Sequence, residues 1–429
     1  MTARRYIFFI IPIVIIIVVM SGCSPSKKAF EQVNQRQDSL LNKLLGRYPQ
    51  FFESIVKNKK EFNVQIIYTQ IDRDKKNHPT FTDHYFNVNK NSYFYPASTV
   101  KFPVAILALQ RLNELRIKGL DKFSTMITEA DAEGQTAVYN DPTTADGRPA
   151  IAHCIKKILL VSDNDAFNRL YEFLGQEYIN NSLHKMGYEE AQIIHRLEVS
   201  LNEQQNRQTN PIKFIDKSST IIYEQPAVNS KLKYANRNTK IGKGYMKGDS
   251  LVNEPFDFSK KNRLTLQDLH QILRSVIFPE ETSAERRFNL KQDDYTFLYK
   301  YMSMFPRESR FPFYDSTHYN DNYVKFLLYG AEAVRPDADI RIFNKVGDAY
   351  GFLIDAAYVA DFKNKVEFLL TATIYCNSDG ILNDNKYDYD TIGLPFLKNL
   401  GMVIYEYELK RQRPFVPDLS SLRFDYSLE

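Results

Sequence analysis

The chain has 429 residues, with 56 Lys and Arg against 52 Asp and Glu, for a formal net charge of +4. Its basic residues are spread along the chain and give no nucleic-acid face. Its seven His show no H-x-H or HExxH spacing, so neither a metal site nor a cofactor is expected. Three cysteines are too few for a disulfide framework, and the length is ample for one large core or two linked ones.

Arg4 and Arg5 precede an unbroken apolar run over residues 6–20, then Ser21-Gly22-Cys23. A basic start, a short apolar core and small residues describe a secretory signal at 1–22, short for a transmembrane span. Met20-Ser21-Gly22-Cys23 resembles a bacterial lipobox, which implies cleavage before Cys23 and a lipid on that thiol. The alternative is an uncleaved signal anchor. Either way the expectation is an exported protein held on the periplasmic side of a bacterial membrane. Residues 23–39 then read as a polar spacer from the lipid.

Residues 40–56 have the apolar spacing of a helix. A strand at 64–68, a turn at 72–74 and a second strand near 85–88 form a hairpin. Next comes Tyr95-Pro96-Ala97-Ser98-Thr99-Val100-Lys101-Phe102-Pro103, leading into a run to Leu115 that is apolar all round, as in a helix buried mid-domain. Ser98 falls near the first turn, and Lys101, three residues on, shares its face. An amine is then within reach of the hydroxyl proton, and the Ser98 N–H points out of the helix start, where negative charge is favoured. Ser-x-x-Lys alone is weak. It recurs at Ser24/Lys27, Ser54/Lys57, Ser182/Lys185 and Ser230/Lys233, and a plain helix cap is the competing reading of Ser98.

A helix over 151–160 runs into Ser162-Asp163-Asn164, which in isolation is also a cap. Helices follow at 169–174 and 178–186, broken at Gly175. Then comes His195-Arg196-Leu197-Glu198-Val199-Ser200-Leu201-Asn202, where an acid and an amide four apart sit on a loop. The competing reading is a surface turn. Ser98-x-x-Lys101, Ser162-Asp163-Asn164 and Arg196-x-Glu198-x-x-Leu201-Asn202 occur in the order and spacing of class A serine β-lactamases, and the chain resembles that family over about residues 40–411. Asn168 fits the asparagine that braces the acid-bearing loop in that family.

The resemblance calls for a Lys-Thr-Gly or Lys-Ser-Gly motif on an inner strand. Lys240-Ile241-Gly242 lacks strand character; Lys345-Val346-Gly347 lies between apolar strands at 340–343 and 350–359 and is the better choice. A strand at 366–375, a helix at 394–409 and an extended tail, within 412–429, end the chain. Added sequence at 205–257 and near 307–322 reads as ordered surface decoration at the cleft rim, with plain loops the alternative. Cys154 and Cys376 are expected as buried thiols.

The fold expected is β-lactamase-like: an α/β part with an antiparallel sheet from the two chain ends (40–97 and 336–411) and an all-α middle part (98–335), with the site between them. In the roles implied, Ser98 attacks a carbonyl, and Lys101, or Glu198 through a water, takes its proton. The N–H groups of Ser98 and Asp348 hold the oxyanion. Ser162 carries a proton to the departing nitrogen. Asn164, Lys345, Gly347 and Asp348 hold substrate, and Glu198 with Asn202 fixes the water that frees the acyl group. Val346 lacks the hydroxyl expected to bond a lactam carboxylate, and Asp348 places a negative charge near that anion. A β-lactamase, a penicillin-binding D,D-peptidase or esterase, and a non-catalytic envelope lipoprotein are the competing functions. The partners expected are a β-lactam or peptidoglycan-like small molecule and, through the lipid, a membrane, with the protein a monomer.

Overall fold

The computed structural model describes residues 39–330 and 332–427. The leader, Cys23 and nearly all of the spacer lie outside the described residues.

Two strands from the start of the chain, β1 (Gln65–Arg73) and β2 (Pro79–Phe86), join three from its end. Small strands intervene in the sequence: β3 (Thr125–Thr128), β4 (Ile212–Ile215), β5 (Ile221–Gln225), β6 (Lys240–Ile241), β7 (Gly244–Lys247), β8 (Ser250–Val252) and β9 (Phe256–Asp257). Then come β10 (Ile340–Ala349), β11 (Phe352–Asp361), β12 (Val366–Tyr375) and β13 (Ile381–Leu382). The main sheet is antiparallel, in the order β10-β11-β12-β1-β2, with Gln65 opposite Thr373 and Lys345 opposite Ala356. The sheet built from both chain ends is therefore present as expected.

Each face of this sheet buries a separate apolar cluster. One cluster gathers Phe343, Ile354, Ala356 and Tyr358 with the helices of the middle region. The other gathers Ile342, Val346, Leu353 and Ala357 with Leu397, Leu400 and Ile404 of the helix Leu394–Lys410. This is the period of two along a strand. It corrects the expectation for Val346, which is 1% exposed and belongs to the second cluster, away from the cleft face. Its methyls are core atoms, and the missing hydroxyl says nothing about a substrate carboxylate. Val346→Thr should bury an extra hydroxyl and cost about 1–3 kcal/mol of stability, with KM unchanged. Urea denaturation and steady-state kinetics check this, and an improved KM at undiminished stability would sink it.

The helix Lys101–Leu115 runs through the middle of the first cluster, with Val104, Ala105, Ile106, Leu107 and Ala108 all fully buried. It packs against Ile151–Val161 and Asn164–Lys185. The single helix read over 40–56 is two, Ser39–Gly46 and Pro49–Lys57, because Pro49 starts a new helix more readily than it continues one. The helices on either side of Gly175 form one run whose only non-helical residue is that glycine, at φ 72° and ψ 158°. The lysine motif also differs from expectation. Strand β10 continues through Lys345-Val346-Gly347, the turn falls at Tyr350-Gly351, and β10 is an edge strand rather than an inner one.

The added segment 205–257 is ordered. Strand β4 pairs with β3 on one side and β5 on the other, β6 pairs with β9, and β7–β8 join β13. The second addition carries Tyr314, Tyr319 and Tyr323 in edge-to-face succession. The C-terminal segment is docked rather than free: Leu419 is buried, and the Tyr426 hydroxyl lies 2.8 Å from Ser303 Oγ. Cys154 and Cys376 are buried free thiols.

Candidate active site

Ser98 sits in a 3-10 turn, Ala97–Val100, that leads into the central helix. Thr99 ties the turn back, donating its N–H and its hydroxyl to Pro96 O at 3.0 and 2.6 Å. Ala97 is held at φ 46°, an uncommon conformation for a residue with a Cβ, and the turn is thereby aimed at the edge of the sheet. There Gly347 presses on it. A Cβ at Gly347 would lie 2.9 Å from Pro96 O and 3.0 Å from the nitrogens of both Ser98 and Thr99. These are backbone atoms that cannot swing aside, so only glycine allows β10 to approach the Ser98 turn this closely.

Behind the turn, two lysines converge on one hydroxyl. Lys101 Nζ donates to Ser162 O and to Ser162 Oγ, the latter at 3.3 Å. Lys345 Nζ donates to the same Oγ at 2.7 Å and to Val346 O at 2.7 Å. Caps create this geometry. Ser162 is the left-handed residue that ends Ile151–Val161, at φ 61°, and Asp163 caps the next helix by accepting from Ala166 N at 2.7 Å. Ser162 and Asp163 thus serve as caps, and the same turn sets the Ser162 hydroxyl against the two lysines. Burial pushes Lys101 down to about 7, against the pull of Asp163, Asp348 and Glu198. Burial, and then the charge of Lys101, pushes Lys345 well below the usual lysine range. Burial thus brings the loss of the Lys101 proton close to neutral pH.

The loop that follows residue 195 is clamped at its root. Asn168 donates to Leu197 O and accepts from Leu197 N, both at 2.9 Å. Arg196 is buried; its Nε meets Glu172 Oε1 at 2.9 Å, and its other nitrogens reach Gln205 O and Gln208 O. Glu172 also holds Arg169 at 2.9 Å. Glu198, at φ 53°, is thereby presented to the cleft. Asn202 is not brought there. Its side chain accepts from Gln205 N at 2.9 Å and caps the short helix Glu203–Arg207, outside the cleft lining. The local capping box, Asn202 with Gln205, takes up the amide that the water was to use.

The cleft itself encloses about 450 Å³ and is lined by Ser98, Asn164, Glu198 and Asp348, with Tyr95, Tyr350, Tyr387 and Tyr389 among its walls. Enclosure pushes the Asp348 carboxyl up, Lys345 and Lys101 pull it down, and Glu198 pushes it up again. Of the predicted residues, Ser98, Asn164, Glu198 and Asp348 meet in the lining. Lys101, Ser162, Lys345 and Gly347 form the layer behind it.

Sequence reasoning missed the tyrosines and Glu172. It also missed a buried chain beneath β10, in which Lys325 Nζ donates to Asn344 Oδ1 at 2.6 Å and Asn344 Nδ2 donates to Asp355 Oδ1 at 2.8 Å. The insertion does reach the rim: Phe256 stacks on Tyr350 at 5.6 Å, and β7 pairs with β13, next to Asn383 and Asn385 of the cleft wall.

A family described as the beta-lactamase enzyme family matches residues 50–394. Among solved structures, the beta-lactamase of Sphaerobacter thermophilus is similar at 12% identity and a TM-score of 0.45, with 84% of this chain and 97% of that one covered. PBP-A is similar at 15% and 0.47, covering 86% and 97%. The beta-lactamase of Chitinophaga pinensis is similar at 12% and 0.44, covering 83% and 97%. No curated protein matches.

Proposed function

Because this chain belongs to the beta-lactamase enzyme family, we propose that it is a serine hydrolase that opens β-lactam amides through an acyl-enzyme on Ser98, in the manner of class A. The observation that carries this reading is the convergence of Lys101 and Lys345 on Ser162 Oγ, directly behind a serine that lines a cleft with Glu198. In the proposed sequence, Ser98 Oγ bonds to the carbonyl carbon as its proton passes to neutral Lys101. The oxyanion is held by the N–H groups of Ser98 and Asp348. The carbon–nitrogen bond breaks as Ser162 hands a proton to the nitrogen and is refilled from Lys101. Water then attacks the ester carbon, giving a proton to Glu198. The carbon–oxygen bond breaks as a proton is returned to the Ser98 oxygen, which leaves Glu198 ionised and Ser98 as the alcohol.

A fluorescent penicillin tests the first half. Wild type should form an adduct that Ser98→Ala does not. The rate of adduct formation should climb up to about pH 7, where Lys101 loses its proton, and level off above. Below that pH a protonated amine cannot accept, so each unit costs about tenfold. An adduct on Ser98→Ala, or a flat profile in wild type, would overturn the assignment.

A second reading, a D,D-peptidase or esterase using the same Ser98, Lys101 and Ser162, is favoured by two observations. Asn202 stands outside the cleft, and Asp348 adds a second carboxylate to the cleft lining, unfavourable to an anionic substrate.

A further inference from the structure

A second cavity, of about 830 Å³, lies between the Glu198 loop and the insertion. Its walls carry Lys231, Lys233, Lys260, Lys261, Arg207 and Arg237, against the carboxylate of Glu203. Glu203 is already taken, by Arg207 at 3.1 Å and Lys260 at 2.9 Å. Arg237 shares Glu190 with Arg263 at 3.4 and 3.2 Å, and its buried Nε has no acceptor. The side-chain ammonium groups of Lys231, Lys233 and Lys261 have no carboxylate partner among the described residues, although the Lys231 N–H donates to Glu177 Oε1 at 2.6 Å. Lys261 is half-buried and has only the face of Phe256, 5.7 Å away. Six cations facing one carboxylate give this cavity a positive field that favours a multiply negative ligand.

The same cavity offers one buried acceptor. His195 Nδ1 lies 2.7 Å from Arg196 O and so carries the hydrogen, which leaves Nε2 as an acceptor, buried and without a partner. Burial keeps the ring neutral, down to about 4. An anion of phosphate groups alone leaves that nitrogen unsatisfied, whereas a ligand hydroxyl donates to it.

We propose that this cavity binds a phosphorylated sugar or polyol, with its phosphates on Lys231, Lys233, Lys261 and Arg237 and a hydroxyl on His195 Nε2. The inference does not depend on the hydrolase reading. The cavity is separate from the cleft, although both touch the same loop: Arg196, Val199 and Leu201 line one, and Leu197 and Glu198 line the other.

Calorimetry with fructose 1,6-bisphosphate on the whole protein tests it, with pyrophosphate as the comparison. Binding should be weakened about tenfold or more by the pair Lys233→Gln and Lys261→Gln, and left as it is by Ser98→Ala. His195→Phe keeps the ring stacked on Tyr95 and should weaken the bisphosphate while sparing pyrophosphate. Any of three results would overturn the proposal: no heat at millimolar bisphosphate, binding lost in Ser98→Ala, or equal affinity for the two probes with no effect of His195→Phe.

Discussion

Glu198→Gln is expected to turn a catalyst into a trap. Acylation needs Ser98 and a proton acceptor, and Lys101 stands one turn away. Deacylation needs a water with a base beside it, and Glu198 is the carboxylate that the clamped loop holds at the cleft wall beside Ser98. Glutamine keeps the shape and loses the base, which typically costs about 10²–10⁴-fold. Intact mass should therefore show Glu198→Gln carrying one penicillin on Ser98 for many turnover times, and wild type nearly bare and releasing opened product. A long-lived adduct in wild type, unchanged by the substitution, would instead identify a penicillin-binding peptidase. No adduct on either protein would remove β-lactams as substrates and leave an esterase or a binding module.

Glu172→Ala should have the next largest effect, and on two quantities at once. This buried carboxylate is the counter-charge for Arg196 and Arg169 together. Burial pushes it up, and the two guanidiniums pull it down. Removing it leaves Arg196 buried without a carboxylate and Arg169 with only the exposed Asp165 at 3.2 Å, and breaking a buried pair in this way costs about 3–5 kcal/mol. Arg196 also holds the backbone of residues 205 and 208, so the Glu198 loop should loosen with it. We expect a lower urea midpoint together with a slower deacylation step, and a milder change in both for Glu172→Gln, which keeps a hydrogen-bond acceptor for Arg196. Unfolding free energy within about 1 kcal/mol of wild type would show that the charge is not holding the loop.

Much of this site was legible because its parts are local. Ser98 and Lys101 are joined by helical spacing, Ser162-Asp163-Asn164 by the way one helix stops and the next starts, and Arg196 and Glu198 by a short loop. The errors have equally definite causes. Strand alternation carries its own warning about Val346: a strand that turns Lys345 to the cleft face must turn the next residue away. Asn202 was claimed by Gln205, three residues on, and a local hydrogen bond is entropically cheaper than one across a cleft. Glu172 gave no signal because its meaning lies in Arg196, on a different segment. The insertion's strands are two to five residues long, too short for alternation to register. The four cleft tyrosines come from three separate loops that only the fold brings together.

The sheet that presses Gly347 onto the Ser98 turn is closed by the pairing of β1 with β12, two strands from opposite ends of the chain. A polypeptide interrupted before residue 340 would own Ser98, Lys101 and Ser162, yet β1 would have only β2 beside it and Lys345 would not exist. Such long-range pairing forms late in folding, after the entropy of closing a very large loop has been met. Nascent, truncated or proteolytically clipped chains should accordingly be silent toward any substrate, so that hydrolysis reports completed synthesis of the polypeptide as well as chemistry.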